Sequence, residues 1–528
     1  MIDSLSPYDP SRARRTLFSA LLEAAKTFGT ERKILIDGDE RALTYHELTR
    51  AAFALGYALK KGTRSGESVG VLLPTGIAAV ISVFALSAYG RVPAMLNFTA
   101  GLQNLRAAIR MAKVTRVVTA HRFIELGKFE TIEAELRSQC ELVYLEDVRQ
   151  SLPARAKAAA AVGEVAPWLV TARQSPDRPA AILFTSGTEG EPKAVVLSHA
   201  NILANVEQVR AHLALFENDV LFNPLPTFHS FGLTVGALMP LYLGVKGVLH
   251  PTPRQPREVV RRIREHQATI VLATDTFISQ YVRAADDGDL SSLRLAVCGA
   301  ERLHDETRQL VRRKCLVELL EGYGVTEASP VIAANQPGTN RPGTVGHIVH
   351  GLETRIEPVE GIGEGGRLLV RGPNVMLGYL HAGAPGEIQR PPDGWHDTGD
   401  IVSMDEDGYL AIRGRLKRFA KIGGETVSLA VVENCASALW PDYFHAAIAL
   451  REERRGESIV LVTTNPDASR SDLLVWLRNH GASELAVPRR VIAVSEIPLL
   501  GSGKIDYPGV AKIAAEYAEP SPIQTVGR

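Results

Sequence analysis

The strongest constraint on the fold is an alternation between short apolar runs and longer amphipathic stretches. Runs at 33–36, 68–73, 92–96 and 115–119 are rich in Val, Leu and Ile and read as strands. Between them lie helical stretches at 44–59, 77–89 and 102–111. Thr44-Tyr45-His46-Glu47 opens the first of these as a capping box, in which a hydroxyl and a carboxylate each satisfy an orphan amide. Strand, helix and strand at this spacing require a crossover, so the strands lie parallel and helices cover both faces of the sheet. The pattern resumes with helices at 201–213, 230–242 and 257–266 and strands at 220–223, 246–250, 270–273 and 295–298.

A chain of 528 residues exceeds what one core organises, so more than one domain is expected. The texture changes to short strands and turns over 343–412, a β-rich lobe, and then to a small α+β unit with strands at 446–451 and 458–463 and a helix at 471–480. The expected architecture is a large N-terminal domain over 1–416, holding two α/β sheets and the β-rich lobe, and a small mobile α+β domain over 417–528. The Ala-rich stretch 153–167 has no periodicity and reads as a connection.

Composition excludes several function classes. Lys plus Arg equals Asp plus Glu at 59 each, which leaves no electrostatic footprint for nucleic acid. Cys140, Cys298, Cys315 and Cys435 show no C-x-x-C spacing and read as reduced thiols of a cytoplasmic protein, with no zinc site. The acidic and basic residues from Asp3 to Arg15 are unlike a signal peptide. The longest clean apolar segment, 77–89, is too short to cross a bilayer, so no transmembrane segment is expected; peripheral membrane association stays open.

The chemistry concentrates first at Thr185-Ser186-Gly187-Thr188-Glu189-Gly190-Glu191-Pro192-Lys193, between the apolar runs 181–184 and 194–197. Glycines let backbone amides turn toward an anion, and the hydroxyls and Lys193 add donors and charge, so the loop suits a polyphosphate. An ordinary turn has similar composition. A Walker loop is excluded because Pro192 precedes Lys193 and Ala194 follows it, and the chain contains no G-x-S-x-G elbow. Further loops are Glu321-Gly322-Tyr323-Gly324-Val325-Thr326-Glu327, Gly394-Trp395-His396-Asp397-Thr398-Gly399-Asp400, Gly414-Arg415-Leu416-Lys417, and Pro498-Leu499-Leu500-Gly501-Ser502-Gly503-Lys504. Each alone is indistinguishable from a surface turn.

In this order and spacing the loops resemble the adenylate-forming superfamily, which includes acyl- and aryl-CoA synthetases, peptide-synthetase adenylation domains and luciferases. Over 181–510, through 226–236, 320–327, Arg418-Phe419-Ala420-Lys421-Ile422 and 498–504, the chain is similar to the acyl-carrier-protein synthetase half of the bifunctional acylglycerophosphoethanolamine acyltransferase/synthetases. It also resembles fatty acyl-CoA synthetases.

The resemblance implies an acid–thiol ligase that uses ATP and Mg²⁺ in two half-reactions. A medium- or long-chain fatty acid attacks the α-phosphate, releasing pyrophosphate and giving an acyl-adenylate, and a thiol then displaces AMP to give a thioester. Carried over by motif, Thr185, Ser186, Gly187, Thr188, Gly190 and Lys193 would hold phosphates, and Gly299, Ala300 and Glu301 would border the adenine and acyl pocket. Tyr323 would stack on adenine, Thr326 would touch the α-phosphate, and Glu327 would hold the metal. Asp400 and Arg415 would bind the ribose. Lys504 would bridge the substrate carboxylate and the α-phosphate, Lys417 would be the hinge, Lys421 would face the site during thiol transfer, and His229 would gate the acyl channel. A core histidine and a surface lysine are the plain alternatives for His229 and Lys421. Three departures from the family pattern, Ala194, Glu189 and Arg418, remove no group that the chemistry requires.

On this reading the thiol acceptor is acyl carrier protein, with coenzyme A as the alternative. An acidic carrier would be drawn by Arg415, Lys417, Arg418 and Lys421. A non-catalytic adenylate-binding protein is the rival of another class, disfavoured because Lys504 and Glu327 are both present.

Overall fold

The computed structural model describes residues 7–185, 192–315, 317–362, 364–422, 425–452, 456–480, 484–500 and 504–517. The chain divides into two compact units. One comprises Met1–Thr354, Val370–His396 and Gly408–Leu410, and the other Arg355–Leu369, Asp397–Asp407 and Ala411–Arg528.

The first unit contains two sheets. One runs in the order His347–Ile348, Val331–Ala334, Leu319–Gly324, Leu295–Cys298, Ile270–Ala273, Val220–Asn223, Lys246–Leu249, Lys33–Ile36, Ala42–Thr44. From Lys33–Ile36 to Leu319–Gly324 its strands are parallel, as the alternation predicts. The second runs Ala384–Gln389, Gly378–His381, Lys193–Ser198, Pro179–Thr185, Val92–Met95, Ser68–Val71, Arg116–Thr119, Glu141–Tyr144. Its first four strands pair antiparallel; the connections 186–192 and 382–383, joining two of these pairs, are too short for a crossover.

Two helices are buried on nearly every side and tie the sheets into one core. Ile77–Ala88 is apolar all round. His199–His212 is buried too, but carries Asn201, Asn205, Glu207, Gln208 and His212 inward. Ser198 caps it through a capping box with Asn201, and Thr44 and Glu47 cap Tyr45–Leu59 in the same way.

The Ala-rich stretch is not an irregular connection: Ala154–Val165 is a helix. Its lack of amphipathic pattern comes from what it buries. Ala156, Ala159, Ala160 and Gly163 form a small-residue stripe, and Gly163 sits against the ring of Phe53 on the Tyr45–Leu59 helix. A hydrophobic-periodicity reading misses a helix packed through alanines.

The short strands expected over 343–412 are present: Glu353–Glu357, Gly366–Arg371, His396–Met404 and Leu410–Arg415 pair in that order. The second unit's other sheet orders Glu425–Ser428, Phe419–Ile422, Gly456–Thr463 and His445–Glu452, with Arg490–Ala493 parallel to Gly456–Thr463. Helices Leu429–Leu439, Arg470–Asn479 and Tyr507–Glu516 accompany it. Among the described residues no helix is long and apolar enough to cross a membrane.

Candidate active site

Chain segments leaving the carboxyl ends of neighbouring parallel strands are where α/β sheets bind ligands. Here the strands Val220–Asn223, Ile270–Ala273, Leu295–Cys298 and Leu319–Gly324 are neighbours, and the first, third and fourth lead into His229, Gly299-Ala300-Glu301 and Thr326-Glu327 respectively. The expected loop around Tyr323 is in fact strand, since Leu319–Gly324 runs on through both glycines. Tyr323 is half-buried on it, opposite Ala333.

Thr326 and Glu327 form a single 3-10 turn over Thr326–Ala328, closed by Ser329 at φ 70°. Glu327 is doubly held: its carbonyl accepts from the Met376 amide at 2.7 Å, and its Oε1 accepts from the Tyr379 hydroxyl at 2.6 Å. Tyr379 was not singled out from the sequence. It pairs with Val195 across the antiparallel ladder, so Lys193, two residues along, shares its face. Lys193 Nζ lies 4.9 Å from the Tyr379 ring centroid. One aromatic side chain thus joins the lysine of the glycine-rich loop to the carboxylate of the other sheet. The available signal was Gly378-Tyr379 itself, a glycine beside an aromatic. Thr326 Oγ1 accepts from Ser230 Oγ at 3.3 Å, which brings the turn beside His229.

A buried amide network fixes this turn from behind. Asn374 Nδ2 donates to the carbonyls of Ala328 (2.8 Å) and Val331 (3.2 Å), and its Oδ1 accepts from Gln208 Nε2 at 3.1 Å. Asn205 brackets Val331, donating to its carbonyl and accepting from its amide at 2.9 and 3.0 Å. Ser329 Oγ donates to the Asn374 carbonyl at 2.8 Å. The polar face of the His199–His212 helix therefore serves the turn that carries Thr326 and Glu327.

Gly299 is buried with Phe231 against its open side, and Ala300 sits at φ 71°. Glu301 accepts from the Thr276 amide at 3.1 Å, and burial holds its pKa above the usual carboxylate value. Glu321 is buried one strand away. It accepts from the Leu303 amide at 3.2 Å and lies 3.3 Å from the Arg308 guanidinium. Burial outweighs Arg308 and pushes its pKa up to about 7. Glu321 thus ties the Tyr323 strand to the segment after Glu301, a role its place in the motif did not disclose.

His229 is half-buried and follows Phe228, whose ring stacks edge-on with Phe98 at 5.0 Å. Thr185 ends its strand half-buried. Ser186, Gly187, Thr188 and Gly190 lie outside the described residues.

The second unit holds the remaining candidates. Asp400 is buried and accepts from Arg415 Nε at 2.9 Å, so the two form one acid–base pair. Lys417 and Lys421 are exposed on either side of Arg418, and the Lys421 amide donates to Glu457 at 2.6 Å. Arg418 is not a surface cation: its side chain is 19% exposed and ion-paired to Glu433 at 2.9 Å. Lys504 is exposed beside a narrow hairpin, in which its carbonyl accepts from the Leu500 amide at 2.7 Å and Leu499 bridges Ile505.

The donor set fits one hard cation shared with a substrate. Among the described residues no group of three or more His, Cys, Asp or Glu side chains is placed to hold a metal. Glu327 offers a single carboxylate, with Oε1 anchored by Tyr379 and Oε2 accepting from no described donor. Magnesium is commonly held in this way, by one or two carboxylates together with substrate phosphates.

The AMP-binding enzyme family profile matches residues 21–380. The chain is 28% identical over 495 residues to the medium-chain fatty-acid–CoA ligase of Escherichia coli (strain K12), spanning 89% of this chain and 86% of that one. It is 31% identical over 482 residues to the feruloyl-CoA synthase of an Amycolatopsis species, spanning 88% and 92%. ATP-bound MatB from Rhodopseudomonas palustris shares the fold, with a TM-score of 0.81 at 24% identity over 96% of this chain and 100% of that one.

Proposed function

The chain belongs to the AMP-binding enzyme family and is an AMP-forming acid–thiol ligase; on that premise we propose that its acid is a medium- or long-chain fatty acid and its thiol acceptor coenzyme A. The observation that carries the chemistry is the Lys193–Tyr379–Glu327 chain, which sets a phosphate-type cation and a metal-type carboxylate on one aromatic hinge-point. Two things favour coenzyme A over the carrier protein that the motifs first suggested. Relatives matching most of the chain are CoA ligases and synthases, two of them named for fatty acids. Of the four cations offered to an acidic carrier, Arg415 is paired with Asp400 and Arg418 with Glu433.

In this reading Thr185, Ser186, Gly187, Thr188, Gly190 and Lys193 hold the β- and γ-phosphates, Tyr323 stacks on adenine, and Gly299, Ala300 and Glu301 border it. Thr326, steadied by Ser230, hydrogen-bonds the α-phosphate. Magnesium, held by Glu327, would neutralise phosphate charge. Asp400 accepts from the ribose hydroxyls while Arg415 fixes its orientation. Lys504 stabilises the negative charge that grows as the carboxylate attacks, a term worth a few kcal/mol. The unit after Lys417 then turns to bring Lys421 to the site for thiol transfer, and His229 gates acyl entry.

The test is product formation from labelled tetradecanoate and Mg-ATP, with coenzyme A in one arm and holo-acyl carrier protein in the other. Thioester with coenzyme A is the expected outcome. Thioester with the carrier protein alone would overturn the acceptor and keep the adenylation chemistry. Lys504→Ala is expected to lose adenylate formation and keep transfer from preformed adenylate; equal loss of both would sink the two-orientation scheme.

A further inference from the structure

Arg418 stands one residue after Lys417 and three before Lys421, yet its guanidinium turns into the second unit. Its Nη2 donates to Glu433 Oε1 at 2.9 Å and to the Ala447 carbonyl at 3.1 Å. The same Glu433 oxygen accepts from the Ala447 amide at 2.8 Å and from the Tyr507 hydroxyl at 3.1 Å. The Arg418 guanidinium also covers the Tyr507 ring, 3.6 Å from its centroid. Both backbone polar groups of Ala447, on the end strand of the sheet, are thereby satisfied by this pair of side chains.

The partners explain why a half-buried cation is tolerated. A charge taken from water is costly unless paired and hydrogen-bonded. Glu433 supplies the opposite charge, Ala447 a carbonyl and Tyr507 a π-face. Arg418 is held charged: burial opposes its charge, and Glu433 and Tyr507 more than offset that. A lysine would lack the planar fork that meets the carboxylate and stacks on the ring together.

Tyr507 is the first residue of its helix and stands three residues after Lys504. The Lys504 hairpin is closed at its base by the Leu499–Ile505 bridge and by the Asp506 amide donating to the Pro498 carbonyl at 2.8 Å. The stretch 417–421 and the root of the Lys504 hairpin, remote in sequence, therefore meet on one half-buried carboxylate.

We propose that Arg418 is a positioning residue for adenylate formation: through Glu433 and Tyr507 it fixes the root of the Lys504 hairpin against the segment 418–421, so that Lys421 and Lys504 move as one body about Lys417. This rests on the reading of Lys504 as the adenylation lysine and Lys417 as the hinge. It also accounts for an arginine at a position where the motif pattern commonly has an acidic residue. An acidic side chain could neither stack on Tyr507 nor pair with Glu433.

The test compares Arg418→Met, Tyr507→Phe, Lys504→Ala and the Arg418→Met/Lys504→Ala double variant in the full chain. Two half-reactions are read, ATP–pyrophosphate exchange and acyl transfer from preformed adenylate, with the thermal midpoint as a check of folding. A lysine misplaced by about 1 Å costs about 100-fold, so Arg418→Met is expected to lose about that in exchange and less than about threefold in transfer. Tyr507→Phe, which keeps the ring under the guanidinium and loses only the hydroxyl, is expected to lose about fivefold in exchange with folding intact. The double variant is expected to exchange no worse than Lys504→Ala alone, because a residue acting through Lys504 has nothing left to position. A further loss in the double variant, or equal losses of exchange and transfer in Tyr507→Phe, would make the cluster a general scaffold and overturn the proposal. Intact exchange in Arg418→Met beside lost exchange in Lys504→Ala overturns the proposal alone. Intact exchange in Lys504→Ala overturns the underlying reading as well.

Discussion

The amide network behind Glu327 lends itself to a quantitative test at Asn374, which is fully buried. In Asn374→Ala, the Val331 carbonyl keeps Asn205 Nδ2 at 2.9 Å, and Gln208 Nε2 keeps the His350 carbonyl at 2.8 Å. The Ala328 carbonyl loses the side-chain donor that served it at 2.8 Å. One buried acceptor left unmade costs about 1–3 kcal/mol, and the two weakened contacts add about 1 kcal/mol more. The expected total is about 2–4 kcal/mol, less if water enters the vacated polar space. At about 2 °C per kcal/mol for a unit of this size, the thermal midpoint should fall by about 4–8 °C. The same turn carries Thr326 and Glu327, so pyrophosphate exchange should fall by about 10- to 100-fold. Calorimetry and exchange assays on Asn374→Ala and Asn374→Asp separate volume from hydrogen bonding. Aspartate fills the same space but aims acceptors at the Ala328 and Val331 carbonyls, so at pH 8 it should be the worse of the two. An Asn374→Asp protein as stable as the parent at pH 8, with exchange intact, would refute the reasoning.

Tyr379→Phe removes the hydroxyl that anchors Glu327 Oε1 and leaves the ring beside Lys193. Losing about 1 kcal/mol of that bond should raise the Mg²⁺ concentration for half-maximal exchange about fivefold, and calorimetric titration with Mg-ATP should show the same weakening. Glu321, whose pKa is pushed up to about 7 by burial from the ordinary 4.5, contributes stability that is fully present below about pH 4.5 and is lost as pH rises to about 7. Glu321→Gln should therefore flatten the thermal midpoint between pH 5 and 7, removing a pH-dependent swing of about 2 kcal/mol; an unchanged slope would count against the shift. Gly163→Ala would place a Cβ 2.7–2.8 Å from three carbons of the Phe53 ring, which is itself packed edge-on against Phe18 at 5.0 Å. Overpacking of about 1–3 kcal/mol should exceed the gain in helix propensity of about 1 kcal/mol, so the midpoint should drop in a thermal melt.

Much of this fold is written locally. The capping boxes at Thr44 and Ser198 start their helices where hydroxyl and partner stand three residues apart, and the apolar runs at 220–223, 270–273 and 295–298 are strands to the residue. What was not legible depends on partners distant in sequence. The Ala154–Val165 helix has no stripe of large apolar residues, because Phe53 supplies the bulk on the facing helix. Leu319–Gly324 stays in strand through two glycines because Val331–Ala334 and Leu295–Cys298 pair with it on either side. Candidate site residues were legible as types, since loops after strands concentrate hydroxyls, glycines and lysine. Their supports were not: Tyr379 meets Glu327 across 52 residues, and Gln208 meets Asn374 across 166. Arg418 reads as one cation in a basic run, and only the Glu433–Tyr507 cluster shows it turned inward.

The two sheets of the first unit are threaded through one another in chain order. One opens with the hairpin of Lys33–Ile36 and Ala42–Thr44 and then waits until Val220–Asn223 and Lys246–Leu249 for its next strands; the other uses 68–198 and closes only with Gly378–His381 and Ala384–Gln389. During synthesis, the first sheet is complete only once the chain has passed residue 348, and the second only once it has passed residue 389. A nascent chain ending near 200 carries a five-stranded parallel edge and a lone hairpin, with the Lys193–Ser198 strand still lacking its outer neighbour. Such long-range pairing slows folding and leaves edges open to misassociation. The unit therefore acquires its stability late and all at once, so a fragment cut between 200 and 370 should aggregate rather than persist as a smaller adenylate-binding domain.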